Sequence, residues 1–66
     1  MMFEPGQRVF VRALQVHGRV ERVVVLGSGP VLEVAVDGAE SGGRRLVFVR
    51  AAEVVPEREF RQGEFL

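Results

Sequence analysis

Valines recur at alternate positions along much of the chain, and clusters of glycine, proline and acidic residues separate the apolar runs. Val9 and Val11, for example, alternate with polar or aromatic neighbours, which is the period of two of a strand with one buried face. An amphipathic helix needs apolar residues every three to four positions, and no window shows that spacing. The pattern therefore predicts an all-β chain of short strands and turns.

Five strands are predicted between these breaks. The strands cover residues 8–12, 19–26, 31–36, 44–50 and 54–55, and the turns or loops fall at residues 4–7, 17–18, 27–30, 37–43 and 51–53. Pro56 has no backbone N–H to donate and is expected to end the last strand.

The second strand carries one irregularity in its alternation. Val20 and Val23 are three positions apart before Val25 resumes the period of two. A β-bulge near Glu21 and Arg22 would place all three valines on one face and bend the strand sharply.

The loop at residues 27–30 allows a check on the register of the second and third strands. If Leu26 pairs with Val31 across this loop, Val25 faces Leu32 and Val23 faces Val34, and both pairs are apolar. Pattern and loop length therefore predict the same register.

Small size and a bent strand together limit the architecture. A chain of 66 residues is too small for a sandwich, and a sheet that curls on itself hides its edges. We expect a five-stranded, partly open small barrel over residues 1–56. Residues 57–66 would form a C-terminal tail, as either a docked arm or a frayed end.

One motif follows the spacing Val9-x-Val11-x-x-Leu14-x-x-x-Gly18-x-Val20-x-x-Val23. This motif resembles the opening of SH3-like small barrels of the KOW type, which occur in ribosomal and transcription-elongation proteins, and especially the small barrel segment of some MutS-family proteins. Residues 45–55 are similar to the closing turn and last strand of SH3-like barrels generally. The KOW resemblance implies RNA or ribosome contact around His17-Gly18-Arg19, although RNA-binding KOW segments are typically lysine-rich and this chain contains no lysine.

Composition narrows the classes of function. Nine arginines balance nine acidic residues, and the zero net charge argues against an electrostatic nucleic-acid binder. Cysteine and asparagine are absent, which fits a thermostable protein from a hot or GC-rich source. The apolar run 23–26 is far too short to span a membrane, and without a charged, apolar leader we expect a cytoplasmic protein.

Chemical groups for catalysis are sparse. Ser28, His17 and Asp37 formally supply a nucleophile, a base and an orienting acid, but each falls in a different predicted turn. A single histidine and no cysteine leave no metal-ligand spacing. We therefore expect no enzyme activity, no cofactor, no metal and no small-molecule substrate.

A narrow barrel has fewer inward positions than this chain has apolar strand residues. The expected inward set is Val20, Val23, Val25, Leu32, Val34 and Val36. The expected outward apolar residues, with one aromatic residue of the tail, form a predicted protein interface: Val24, Leu26, Val31, Leu46, Phe48 and Phe60. Terminal segments folded back as an intramolecular cover are the alternative.

The interpretation that follows is a non-catalytic small-barrel interaction module, which self-associates or docks on a larger protein through this outward face. The alternative is an RNA- or ribosome-associated KOW-like domain, with Phe10 and Phe48 available for base stacking. Its phosphate contacts would come from surface arginines: Arg8, Arg12, Arg19, Arg22, Arg44 and Arg45.

Overall fold

A computed structural model describes residues 3–38 and 45–59, which form a single antiparallel sheet of five strands. The strands are β1 (Arg8–Val11), β2 (Val16–Leu26), β3 (Gly29–Val36), β4 (Arg45–Arg50) and β5 (Val54–Pro56). Their spatial order is β4-β3-β2-β1-β5, and the sheet is not closed. The predicted all-β fold and partly open small barrel are therefore confirmed.

Short 3₁₀ turns flank the last strand. Ala51–Glu53 connects β4 to β5, as the sequence predicted, and Glu57–Glu59 follows β5 and packs against β1. The rest of the predicted tail, residues 60–66, lies outside the described residues. Within the described part of the chain, no helix has the length and apolar character needed to cross a membrane.

The β-bulge in β2 is confirmed. Val20 lies opposite Val34 of β3, and the next pair is Arg22 with Glu33, so Glu21 is the extra residue. The bulge turns both Val20 and Val23 toward the core, where the Val20 side chain is fully buried. From Val23 to the β2–β3 turn, the alternation of inward and outward residues in β2 continues without a further shift.

The predicted register of the β2–β3 hairpin is wrong. Leu26 lies opposite Gly29 instead of Val31, because the connecting turn contains only residues 27–28. Gly29, with a φ of 118°, and Pro30 begin β3, and a proline is tolerated in the first residues of a strand. Val25 consequently pairs with Pro30 on the inner side of β2 but beyond the core, and it is 68% exposed, so its expected place in the barrel interior is wrong.

The predicted turn at His17 and Gly18 is also wrong. Both residues belong to β2 and pair with Phe10 and Val9 of β1, while the turn occupies residues 12–15. The turn was missed because its left-handed residue is Gln15, with a φ of 57°, rather than a glycine.

Gly18 serves close packing instead. A Cβ atom at this position would lie 2.7 Å from the Ala35 carbonyl oxygen and 2.7 Å from Val34 Cγ1. The absence of a side chain therefore lets β3 approach β2 closely. This close approach is the second feature, after the bulge, that curves the sheet.

The core lies on one side of the curved sheet. Its buried side chains come from every strand and from the segment before β1: Phe3, Val9, Val11, Val20, Leu32, Val34, Val36, Val49 and Val54. Val23 and Val47 pack against this core, so the inward positions of β4 are its two valines. Leu46 and Phe48 point to the other side.

Substitution of Gly18 tests whether close strand approach maintains the curvature. We expect Gly18→Ala to lower the free energy of unfolding by about 1–3 kcal/mol, because the new methyl group collides with backbone and core. Gly27→Ala is the matched control, since its Cβ would meet no atom within 4 Å, and should change stability by less than about 0.5 kcal/mol. Urea unfolding measures both, and equal effects would contradict the close-packing role.

Candidate functional site

The side of the sheet opposite the core, here called the outer face, brings together most of the predicted interface. Directly opposed residues of antiparallel strands project to the same side, and Val24 lies opposite Val31 while Glu33 lies opposite Phe48. The predicted interface residues found on this face are Val24, Leu26, Val31, Leu46 and Phe48. Phe60 lies outside the described residues.

These side chains differ in how far they reach solvent. Phe48 is 62% exposed, Leu26 is 50% exposed and Leu46 is 44% exposed. Val24 and Val31 are half-buried because they pack beside each other across the β2–β3 pair. The exposed apolar surface is therefore concentrated at the hairpin end and along β4.

An ion pair separates two apolar groups on the outer face. Arg22 and Glu33 lie opposite each other with Nη2 and Oε2 3.6 Å apart, and Glu33 in turn lies opposite Phe48. We call Leu46 and Phe48 the β4 patch. The remaining group, Val24 with Leu26 and Val31, is the hairpin patch.

The β4 patch lies on an edge of the sheet. Among the described residues, β4 pairs with β3 on one side only. Its interior sequence, residues 46–49, is apolar throughout and contains no proline. An edge strand of this kind presents backbone N–H and C=O groups beside apolar side chains.

The predicted nucleic-acid residues are only partly brought together. Arg8, Arg19 and Arg22 share the outer face of β1 and β2, while Arg12 lies in the turn after β1 and donates to the Ala52 carbonyl oxygen. Arg45 begins β4 opposite Val36, and Arg44 lies outside the described residues.

Carboxylates accompany the arginines on the outer face. Arg19 Nε donates to Glu21 Oε2 at 3.1 Å, and Arg22 is paired with Glu33 as described above. Phe10, one of the aromatic residues expected to be available for stacking, is only 5% exposed and packs edge-on against His17 at 5.0 Å. Phe48 is therefore the exposed strand aromatic in the described chain.

A polar cluster that the sequence did not predict lies where β1, β2 and the segments after β3 and β5 meet. Arg8 donates from Nη1 and Nη2 to the two oxygens of Asp37, at 3.0 and 2.5 Å, and from Nη2 to Glu57 Oε2 at 3.1 Å. His17 Nδ1 lies 2.9 Å from the same Glu57 oxygen. These contacts tie the turn after β3 and the segment after β5 to the first two strands.

The hydrogen bonds from Arg8 hold the pKa values of Asp37 and Glu57 below their ordinary values. Conversely, Asp37 raises the pKa of Arg8 above its ordinary value. The cluster is exposed, so solvent screens these charges strongly. Its geometry is that of a surface clasp between segments.

The residues considered for catalysis do not form a triad. The Asp37 N–H donates to the His17 carbonyl oxygen, so these two residues are close, but Ser28 lies in the turn at the other end of the β2–β3 hairpin. Within residues 3–38 and 45–59, no group of three histidine, cysteine or acidic side chains could hold a metal ion.

No protein-family model, no curated protein and no solved structure matches the chain. The proposal of function consequently depends on the geometry of the outer face.

The polar cluster predicts an acid-dependent contribution to stability. Because the folded pKa values of Asp37 and Glu57 are lowered, their contribution is present above the unfolded values and is lost as pH falls through the folded ones. We expect Arg8→Gln to be less stable than the natural chain at pH 6, and the difference in free energy of unfolding to shrink below about pH 4. Urea unfolding at several pH values measures this, and a difference independent of pH would contradict the clasp.

Proposed function

We propose that this chain is a non-catalytic interaction module, an SH3-like small barrel that self-associates or docks on a larger protein through the apolar part of its outer face. The observation that carries the proposal is the β4 patch, with Phe48 62% and Leu46 44% exposed on an edge strand. A cytoplasmic location, expected from the sequence, belongs to this proposal.

The described segments before β1 and after β5 could have covered this surface, but both pack against other parts of the molecule. Phe3, which precedes β1, belongs to the core cluster on the inner side. The segment after β5 packs against β1 and is held by Glu57. In the part of the chain that the structure describes, neither terminal segment covers the β4 patch.

Burial of the patch would supply a useful driving force. Removing a large apolar side chain from water contributes about 1.5–3 kcal/mol when burial is complete. Large apolar side chains exposed in one region are the kind of surface that marks a protein interface. Phe48 has the size and position of an anchor residue for such an interface.

Substitution of Phe48 by a charged residue tests the proposal. We expect Phe48→Glu to weaken self-association, or capture of the native partner, at least about tenfold, because a carboxylate would be buried at the contact. Val25→Glu is the matched control, since Val25 is 68% exposed but projects from the inner side of β2, and it should leave association unchanged.

Sedimentation over a concentration series, with pull-down from the source lysate, measures both variants. The proposal fails if Phe48→Glu and Val25→Glu behave identically to the natural chain. Circular dichroism is the check that each variant retains its sheet.

A second candidate is an RNA- or ribosome-associated module, favoured by the position of Arg8, Arg19 and Arg22 on one face. The ion pairs of these arginines make it the weaker candidate, because phosphate would have to displace neighbouring carboxylates.

Filter binding at low and high salt separates the two candidates. For the interaction module we expect no saturable RNA retention at low salt. Retention that saturates, weakens with salt and falls in Arg19→Gln with Arg22→Gln would instead support RNA binding.

A further inference from the structure

Among the described residues, β4 has no neighbouring strand on one edge, and this edge has the properties needed to bind another strand. We propose that its occupant is the β4 of a second copy of this chain. The two strands would run antiparallel about a two-fold axis that passes beside Phe48. This inference rests on the proposed function and specifies the partner and the contact.

The two edges of the sheet differ in how well they are protected. β5 has only three residues, ends in Pro56 and is flanked by 3₁₀ turns, and each of these features opposes strand addition. β4 has six residues and carries no proline, no bulge and no charge between Arg45 and Arg50. In an antiparallel ladder alternate residues bond to each neighbour, so about half of the β4 backbone groups face the open side.

Two alignments of β4 with a second copy are less favourable. Pairing all six residues would set Arg45 opposite Arg50 of the second copy, but these residues project to opposite sides of the strand, and a two-fold axis normal to the sheet requires opposed residues to project to the same side. The alignment that centres on Val47 sets Arg45 opposite Val49 of the second copy, which places a charge on the core side of the sheet.

The alignment that centres on Phe48 avoids this conflict. It sets Leu46 opposite Arg50 of the second copy and Val47 opposite Val49 of the second copy, with Phe48 beside its own counterpart. Both outer faces then lie on the same side, so the two β4 patches join into one apolar surface. The zero net charge of the chain adds no long-range repulsion between copies.

Disulfide formation between introduced cysteines can test this alignment, because the chain contains no cysteine of its own. Opposed residues in an antiparallel pair have Cα atoms about 4.5–5.5 Å apart, which a disulfide can bridge. A residue two positions from the axis lies about 14 Å from its counterpart, which is too far.

The test uses mild oxidation of four variants of the full chain. We expect covalent dimer from Phe48→Cys and from the double variant Leu46→Cys/Arg50→Cys, which keeps Phe48. The single variants Leu46→Cys and Arg50→Cys are the matched controls and should give at least about tenfold less covalent dimer, because their counterparts are out of reach.

The outcomes separate the edge contact from the broader function. If the natural chain is a dimer by light scattering but neither Phe48→Cys nor the double variant crosslinks, association uses another surface and the edge contact is wrong. If all variants crosslink equally, the disulfides report random collision, and the alignment is wrong. A chain that stays monomeric and becomes dimeric only after deletion of residues 60–66 would show that its own tail occupies the edge, which also overturns the proposal.

Discussion

The bend of β2 determines how the other strands can be arranged. β2 pairs with β1 over residues 16–19 and with β3 over residues 18–26, so its two ends have different neighbours. The extra residue Glu21 changes the phase of the strand, and Gly18 allows β3 to approach closely. Together they place Val20 and Val23 on one side, and the sheet curls around a core built largely of valine.

Curvature around one small core determines which apolar side chains remain outside. The inner side takes Val47 and Val49 of β4, so Leu46 and Phe48 have only the outer face available. At the start of β1 and the end of β5, polar contacts hold the segments together: Arg8 forms a clasp with Asp37 and Glu57. In the part of the chain that the structure describes, one side of the molecule is thus polar and held by the clasp, while the β4 edge carries exposed apolar side chains.

The sequence predicted what depends on local pattern and missed what depends on packing between distant residues. Alternation predicted the number of strands, the bulge and most of the inward positions of β2 and β3, but not the first residues of these two strands or the exposure of Val25. Gly29 and Pro30 misled the register because turn formers can also begin a strand. Gly18 was interpreted as a turn residue because sequence does not distinguish conformational freedom from close approach. The clasp joins Arg8 to carboxylates 29 and 49 positions away, which look like any solvated charges in the sequence.

Among the described residues, the fold leaves one edge of β4 without a neighbouring strand, and we propose that a second copy of the chain covers this edge. Amide hydrogen exchange of β4 at two protein concentrations, well below and well above the association midpoint, tests this proposal. We expect the amides of residues 45–50 on this edge to exchange quickly in dilute solution and to become protected on concentration, while those of β1 do not change. Protection of the β4 edge that is already complete in dilute solution and independent of concentration would show that association does not cover this edge.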